Sequence, residues 1–413
     1  MNPKDFTNQA PGKLVKTANG NWAFSPNPLP PKIEFDTELV RALSRADTAL
    51  AELSAWGNLL PNPHLLISPY IRREAVLSSR IEGTQTRLSD LLVNEVEDLS
   101  KSEPNGDRTE VQNYVRALEL GLKELKKLPL SLRFVRNLHS TLMQGVRGAN
   151  KTPGEFRKGQ NIVASPGSTE ATAPYVPPPF PEMDKAINEW EAYLHDRETL
   201  PDLIQCALMH VQFETIHPFW DGNGRVGRLL IPIFLIERKK LSQPLLYVSA
   251  FFEEHRRDYY ELLQSTRTRG DWRAWLIFFL EGVRVVATDA ATRSKALVDL
   301  REQYRMRLQD KPRAIALIDQ LFVNPYTTAA SAVRLTKVSL PTALKAVQDL
   351  VSARVLREIS ERKRGRLYVA QKIFELLVPE SEKGEKEPKA RLHSDSKAPL
   401  RSPQKGAPRG HRN

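Results

Sequence analysis

The chain has very little cysteine. Cys206 is the only thiol among 413 residues, which excludes a disulfide scaffold and a metal site built from cysteine ligands. Long apolar runs are missing as well, because the apolar stretch near Leu229 is far too short to span a bilayer. The opening residues, M-N-P-K-D-F-T-N-Q, lack the apolar segment of a secretory signal. We therefore expect a globular protein of the cytoplasm without a membrane segment.

Acidic residues are outnumbered by basic ones, 49 to 61, which gives a formal net charge of +12. The surplus is spread along the chain, so it indicates a general affinity for polyanions more than a nucleic-acid code. We find no internal repeat. The length of the chain predicts two or three domains with ample room for hydrophobic cores.

Shifts in composition divide the chain into five segments. Asp36 is placed to cap the first of several amphipathic helices, and later helices are predicted at 111–127, 132–146 and 272–308. The segments are a proline-rich arm (1–35), an N-terminal helical region (36–105), a central core (106–290), a linker helix with a small C-terminal domain (291–378), and a basic tail rich in Lys, Glu, Ser and Pro that we expect to be disordered (379–413).

The most informative segment is His217–Arg228, which reads H-P-F-W-D-G-N-G-R-V-G-R. A helix precedes it and should end near His217, because the residue before a proline is disfavoured in the α conformation. Cys206 lies on the apolar side of that helix, so its thiol should be buried. A second helix, apolar on all sides, is predicted from Arg225 to about Arg238 and belongs in the middle of a domain.

The residues at the start of this second helix fit a polyphosphate. The Gly222-Asn223-Gly224 segment lets the backbone approach a ligand closely, and its free N–H groups lie at the positive end of a helix dipole. Arg225 and Arg228 are three residues apart and can project toward the same anion. Asp221 could bind Mg²⁺ together with phosphate oxygens, and His217 could accept the proton of an attacking hydroxyl. Each feature alone has a structural explanation, but their combination favours a nucleotide site.

This segment resembles the motif of the Fic family, H-x-F-x-[DE]-G-N-G-R-x-x-R, at every specified position. The resemblance implies a mainly α fold, a Fic-type helical bundle with a β-hairpin flap. It also implies a protein adenylyltransferase that moves AMP from ATP, with Mg²⁺, to Ser, Thr or Tyr hydroxyls of target proteins, itself included. His217 would then be the base and Asp221 the metal ligand. The residues expected to contact ATP are Gly222, Asn223, Gly224, Arg225, Val226, Gly227, Arg228, Tyr259, Tyr260 and Val163.

A second segment, Ser78-Ser79-Arg80-Ile81-Glu82-Gly83, precedes the first. A helix is predicted over 68–83, with Glu82 in its last turn, where a carboxylate opposes the helix dipole and invites a cationic partner. An exposed Glu82 without a role is the alternative on this observation alone. The segment resembles the inhibitory motif [ST]-x-x-x-E-[GN] of autoinhibited Fic proteins, at Ser78, Glu82 and Gly83. The resemblance implies that Glu82 pairs with Arg228 and so prevents Arg228 from binding the γ-phosphate of ATP.

Two further features concern the target and the base of the nucleotide. Residues 159–179 are non-helical, and Ile162-Val163 with Tyr175-Val176 could be two short strands around a tip, or the segment could be a surface loop. In the family such a flap docks the backbone of the target by β-augmentation. A family tyrosine lies against adenine and ribose, and either Tyr259 or Tyr260 would match it. The sequence does not choose between the two.

The segment from Pro312 predicts three helices and a β-hairpin, the layout of a winged helix. We expect Leu344, Val347, Leu350 and Val351 to face inward on the third helix. Its outer face is not strongly basic, whereas the hairpin loop could hold phosphates through Arg362, Lys363, Arg364 and Arg366. Contact with DNA and a role in protein contact or dimerisation are both open.

The leading hypothesis is an autoinhibited protein adenylyltransferase. One alternative uses the same pocket to remove AMP from a modified protein, with Glu82 aligning a water. Another makes the chain a DNA-binding regulator whose Fic domain senses a nucleotide. Transfer of a nucleotide other than ATP is a further alternative. The sequence identifies neither the target protein nor the oligomeric state.

Overall fold

The computed structural model describes residues 1–59, 63–97, 106–360, 362 and 365–378. These residues form a mainly helical protein with two small antiparallel sheets, and the mainly α prediction is confirmed. The helices are α1 (Thr37–Leu59), α2 (Pro63–Ile81), α3 (Leu88–Glu97), α4 (Gly106–Glu124), α5 (Leu132–Leu142), α6 (Phe180–Leu194), α7 (Asp202–Ile216), α8 (Asn223–Glu237), α9 (Ser249–Glu254), α10 (Arg256–Arg269), α11 (Trp272–Arg307), α12 (Pro312–Val323), α13 (Ala329–Thr336), α14 (Leu340–Ser352) and α15 (Gln371–Leu377). The strands are β1 (Gly12–Lys16), β2 (Trp22–Pro26), β3 (Tyr326–Thr328), β4 (Arg357–Glu358) and β5 (Leu367–Val369).

Helices α7 and α8 form the centre of the protein. Every residue of α7 from Leu203 to Ile216 is buried, including Cys206, as predicted. Helix α8 is buried on all sides through most of its length and packs against α7, α4 and α5. The apolar sequence of these two helices therefore places their junction, which carries the His217–Arg228 segment, inside the protein.

Helices α1, α5 and α11 begin at their predicted positions, whereas α4 begins five residues earlier than predicted. Asp36 Oδ1 accepts the Leu39 amide at 2.8 Å, which caps α1. Helix α1 packs along α11, which spans the predicted range to within one residue. Helix α2 lies against α4, α9 and α12.

The predicted start of α2 is wrong. The helix begins at Pro63, and Pro69 lies inside it rather than in its first turn. One missing N–H removes a single helical hydrogen bond, and packing of the later turns against α4 and α9 keeps the helix continuous. Helix α2 ends at Ile81, so Glu82 lies just beyond it, in a tight turn in which the Glu82 amide donates to Ser79 O at 3.1 Å. Gly83 ends the segment with φ +96°, as a helix stop should.

The proline-rich arm is not a linker. Strands β1 and β2 form an antiparallel hairpin in which Leu14 pairs with Phe24. Its turn contains Asn19-Gly20, and Gly20 adopts φ +76°. An Asn-Gly pair between two alternating apolar runs is a strong hairpin signal, which the many prolines obscured.

The flap at 159–179 contains a single antiparallel bridge, Val163 with Tyr175, in place of two strands. Turns occupy the tip, so regular pairing does not extend beyond this bridge. The β1–β2 hairpin continues the pairing, because the Phe24 amide donates to Val176 O at 3.0 Å. Tyr175 and Val176 share a small core with Phe24 and Ala23, so the arm and the flap form one unit.

We call residues 309–378 the C-terminal module. It contains α12 to α15 and a sheet of order β3-β5-β4, in which β3 was not predicted. Leu344 and Val351 are 42% and 38% exposed, so their predicted inward orientation is wrong. The buried face of α14 is instead formed by Ala343, Ala346, Val347 and Leu350, which follow helical spacing. Classification of the module as a winged helix stays a prediction.

The cations of the predicted wing have acidic neighbours. Arg362 pairs with Glu97 at 2.8 Å, and Arg366 pairs with Glu358 at 3.3 Å. Lys363, Arg364 and the tail at 379–413 lie outside the described residues. Contact with DNA stays a prediction that these contacts do not favour. In the described part of the chain, none of the helices is long and apolar enough to cross a membrane.

Candidate active site

His217 ends α7, as the following proline predicted. Its backbone is left-handed, with φ 52° and ψ 60°, and its amide donates to Phe213 O at 2.9 Å. Burial lowers the pKa of the imidazole to about 3, and the nearby cations Arg157 and Arg267 act in the same direction. The side chain is therefore neutral at pH 7 and can accept a proton.

The turn between α7 and α8 is fixed by Asn223. Its amide group donates to Phe219 O and accepts from the Phe219 N–H, both at 2.8 Å. Gly222 caps α8 in the left-handed conformation, with φ 76°. The side chain of Asn223 therefore shapes the turn, and what it offers an anion is its backbone N–H at the helix start.

The first turn of α8 has the features of a candidate anion site. The Val226 amide closes the first helical hydrogen bond to Gly222 O at 3.0 Å, so the preceding N–H groups have no helical acceptor. Those groups and the helix dipole favour a negative charge there. The Glu82 carboxylate lies beside this turn: a Cβ on Gly224 would overlap Glu82 Oε1.

Arg228 is held by three acceptors of the α2 segment. Its Nε donates to Ser78 Oγ at 2.9 Å, and its Nη2 donates to Ser78 O at 3.0 Å and to Glu82 Oε1 at 2.7 Å. The guanidinium is 1% exposed and the Glu82 side chain 32% exposed. Burial raises the pKa of Glu82, but the charge and hydrogen bond of Arg228 and the charge of Arg225 outweigh it, and the pKa is lowered overall. The carboxylate is thus ionised and lies within electrostatic reach of both arginines.

Arg225 has a different partner from Arg228. Its Nη1 lies 3.2 Å from Glu110 Oε2, and both side chains are buried. Its Nη2 lies 3.8 Å from Asp221 Oδ1 and contacts the sulfur of Met143. The two arginines start from one face of α8, as predicted, and in this structure each is bound to its own carboxylate.

Asp221 is the carboxylate available to a divalent cation. Its side chain is 30% exposed, and its Oδ1 accepts the Gly222 amide at 2.7 Å. Within the described ranges, no group of three or more His, Cys, Asp or Glu side chains could hold a metal ion by itself. A single carboxylate suits Mg²⁺ when phosphate oxygens and waters fill the other positions. The residues present therefore fit a cation that arrives with a nucleotide.

The two candidate tyrosines have different environments. Tyr259 is 1% exposed, bonds His210 Nε2 at 2.9 Å and stacks on Phe252. Tyr260 is 41% exposed, and its hydroxyl donates to Ile81 O at 3.4 Å, beside Glu82. Of the two, Tyr260 is the one with a surface that a ligand can reach.

Three other residues that were predicted to contact the nucleotide have different surroundings. Val226 is fully buried in the hydrophobic core. Gly227 faces α7, where a Cβ would overlap Glu214 Oε1. Val163 lies in the flap bridge and is partly buried. Their contact with a nucleotide stays a prediction.

Sequence reasoning missed the residues that support the site from other elements. His139 on α5 accepts the Gly154 amide at Nδ1 (2.8 Å), so its proton lies on Nε2, which donates to Asp221 O at 3.0 Å. Glu110 on α4 pairs with Arg225, and buried Arg157 donates to His217 O. These residues stand far from the motif in sequence, so no spacing pattern could have linked them to it.

Comparison with known proteins gives matches over the regions that contain Glu82 and the His217–Arg228 segment. The model of the Fic/DOC family N-terminal region matches residues 40–123, and that of the Fic/DOC family matches residues 129–235. A probable protein adenylyltransferase of Aquifex aeolicus is 40% identical over 68 residues, 16% of this chain and 20% of that protein. Protein adenylyltransferase Fic of Aedes aegypti is 29% identical over 130 residues, 31% of this chain and 23% of that protein. The chain thus spans only about a fifth to a third of the length of such relatives.

A solved structure shares the fold over a larger part of this chain. The crystal structure of a Fic family protein from Desulfovibrio desulfuricans superposes with a TM-score of 0.53 at 20% identity, covering 83% of this chain and 98% of that one. At this identity the likeness shows the fold alone. The two consecutive matches identify residues 40–123 and 129–235 as regions of the Fic/DOC family, and the shared fold agrees with this.

Proposed function

We propose that the protein is an autoinhibited adenylyltransferase, which transfers AMP from ATP to a Ser, Thr or Tyr hydroxyl of a target protein. The observation that supports this most is the position of the Glu82 carboxylate. It lies against Gly224 at the start of α8 and binds Arg228, so a carboxylate of the protein itself occupies an anion site. A phosphate group of a nucleotide would use the same donors.

The residues of the site can support in-line transfer. His217, neutral at pH 7, accepts the proton of the target hydroxyl as its oxygen bonds to the α-phosphorus. The bond from that phosphorus to the β-phosphate oxygen breaks, and pyrophosphate leaves. The N–H groups of α8 and Arg225 stabilise the negative charge of the phosphates. Mg²⁺ bound with the nucleotide at Asp221 would supply further charge neutralisation.

Glu82 acts as the inhibitor in this proposal. While it binds Arg228, the γ-phosphate lacks that arginine, and ATP lies in a non-productive position. Because the Glu82 side chain is about one-third exposed, it can leave Arg228 without unfolding the core. Release of Glu82 should therefore activate the enzyme.

Intact mass spectrometry tests this proposal. After incubation with ATP and MgCl₂, we expect the Glu82→Gly protein to gain the mass of AMP several times faster than wild type, and Glu82→Gly/His217→Ala to gain none. The variant Glu82→Gln, which keeps the shape but not the charge, should be intermediate. Equal labelling of wild type and Glu82→Gly would reject the inhibitory role, and no labelling of either would reject the transfer.

Removal of AMP is a second candidate, because Glu82 lies within electrostatic reach of His217 and could orient a water there. Incubation of wild type with a protein that already carries AMP separates the two activities. Net AMP release by wild type, lost in Glu82→Gly, would favour removal. Release by neither variant would favour transfer.

A further inference from the structure

Arg157 connects three parts of the active site through backbone carbonyls. It is 0% exposed, although it carries a full charge. Its Nε donates to His217 O at 2.9 Å and its Nη2 to Ile216 O at 3.4 Å, both at the end of α7. Its Nη1 donates to Gly159 O at 2.8 Å, and Nη2 also donates to Pro178 O at 2.6 Å. The four acceptors therefore belong to the α7 terminus and to the two ends of the flap.

The α7 terminus needs such a partner. A left-handed backbone is unfavourable for a residue with a Cβ, and His217 adopts it directly before a proline. The carbonyls that end a helix have no helical donor, and a cation there is favoured by the dipole. The Arg157 amide adds a further bond, to Pro218 O at 2.9 Å, so the backbone on both sides of the imidazole is fixed.

The two ends of the flap are fixed by the same group. Gly159 and Pro178 bracket the flap, and one planar guanidinium binds both of their carbonyls. On the other side of the flap, Tyr175 donates to Thr215 O at 2.7 Å, and the Arg267 guanidinium lies 4.1 Å from the centre of the Tyr175 ring. That second contact reaches only one side of the flap, whereas Arg157 contacts both ends of the flap and His217 O.

We propose that Arg157 is a positioning residue that sets the distance between the flap backbone and the imidazole of His217. The consequence depends on the proposed function: a target segment held on the flap would present its hydroxyl to a base fixed by the same guanidinium. The fork of N–H donors has defined directions, and a lysine ammonium cannot reproduce four contacts in one plane. In a lysine variant, His217 should therefore be displaced relative to the target hydroxyl. The N–H groups in the first turn of α8, which would bind the nucleotide, should stay in place.

The test compares Arg157→Lys with a matched control, Arg238→Lys. Arg238 is also buried and donates to Leu194 O, Asp196 O and Gln205 Oε1, but it lies away from the flap. In a Glu82→Gly background we expect Arg157→Lys to lower kcat for target modification about tenfold to a hundredfold, as expected for a displaced reacting group. The KM for ATP should stay within about twofold of its value in the Glu82→Gly protein, because the first turn of α8 would still bind the nucleotide. Arg238→Lys should change neither constant.

Hydrogen–deuterium exchange provides a readout that does not depend on activity. Arg157→Lys should increase exchange together at 159–179 and at 216–219, whereas Arg238→Lys should leave both segments as in wild type. If Glu82→Gly transfers no AMP, the proposed function fails and the exchange result alone decides the role of Arg157. Unchanged exchange in both segments, or a rise in the KM for ATP with unchanged kcat, would overturn the inference. Should Arg157→Lys fail to fold, exchange in Arg157→Gln, whose side-chain amide keeps N–H donors but cannot make all four contacts, replaces it with the same expected pattern.

Discussion

At the scale of single residues, the site depends on buried charged side chains that have hydrogen-bonding partners. Arg228 is almost completely buried, and all three of its acceptors come from Ser78 and Glu82. A buried guanidinium without an anionic partner is costly, so the same arginine that would bind a phosphate requires a substitute when no nucleotide is present. Glu82 provides that substitute.

Replacement of Glu82 should therefore lower the stability of the nucleotide-free protein. We expect Glu82→Gln to lose about 1 kcal/mol of unfolding free energy, because a neutral amide stabilises the buried Arg228 guanidinium less than a carboxylate does. The partial solvent exposure of this side chain limits the loss. Magnesium–ATP should restore the melting temperature more in Glu82→Gln than in wild type, since binding to the folded state adds stability. Thermal melts with and without nucleotide check this. Equal melts and equal nucleotide shifts in both proteins would contradict it.

Glu74 should make stability depend on pH. It lies on α2, accepts from Tyr114 Oη at 2.9 Å and from Ser249 Oγ, and burial raises its pKa to about 7 from 4.5. The folded protein therefore holds this proton more tightly than the unfolded chain does. The resulting stabilisation is complete below about pH 4.5 and is lost as the pH rises through about 7.

Glu74→Gln removes this dependence while keeping the shape of the side chain. Relative to the variant, wild type should lose unfolding free energy between about pH 5 and about pH 8, as measured by urea denaturation at both values. Other buried acids such as Glu214 are present in both proteins and cancel in the comparison. A difference between the two proteins that is the same at both pH values would show that Glu74 does not titrate in this range.

At the scale of elements, the arm and the flap support each other. Glu170 in the flap accepts from Thr17 Oγ1 at 2.7 Å, Asn19 Nδ2 at 2.9 Å and Asn21 Nδ2 at 3.1 Å. One carboxylate thus holds the whole turn of the β1–β2 hairpin. The hairpin in turn covers Tyr175 and Val176 of the flap.

Glu170→Ala should loosen both elements without affecting the nucleotide site. We expect faster hydrogen–deuterium exchange at 12–26 and 165–176, and a higher KM for the target with an unchanged KM for ATP. Glu155→Ala, at an acidic residue before the flap, is the control and should leave both segments unaffected. Faster exchange in the hairpin alone would show that the flap holds its shape independently.

The central pair of helices and the ends of the motif could be predicted because their signals are local. Pro218 ends α7 at His217, and apolar residues on all sides bury α8. The failures, by contrast, have tertiary causes. Pro69 looked like a helix start, since sequence alone does not show that packing carries the helix past it. Arg157, Glu110 and His139 reach the site through tertiary contacts, which no residue spacing encodes.

At the scale of the whole molecule, the C-terminal module is attached to the helices on either side of Glu82. Asn324 Nδ2 donates to Leu92 O at 2.9 Å, Arg334 donates to Val96 O at 3.2 Å, and Arg362 pairs with Glu97 at 2.8 Å. These partners lie toward the C-terminal end of α3, and α12 packs on α2. The module therefore contacts both helices that flank Glu82 and should stabilise its inhibitory position.

Weakening this attachment should raise basal AMP transfer. Asn324→Ala removes the bonds to Leu92 O and Glu95 Oε2 of α3. A loss of about 1 kcal/mol would shift the equilibrium toward the released state about fivefold. In a Glu82→Gly background the same change should have no further effect, because the inhibitory group is already absent. Initial rates of AMP incorporation for the two single variants and the double variant check this. An additive effect in the double variant would show that Asn324 acts by another route.

The central claim is that Glu82 occupies the site of a nucleotide phosphate at the start of α8, where Arg228 would bind it. Isothermal titration of magnesium–ATP into Glu82→Gly and into Glu82→Gly/Arg228→Ala tests this most directly. We expect clear binding to the first protein, with an affinity that falls at least about tenfold in the second, as loss of a charged hydrogen bond implies. No binding of magnesium–ATP to Glu82→Gly, or the same affinity in both proteins, would contradict the claim.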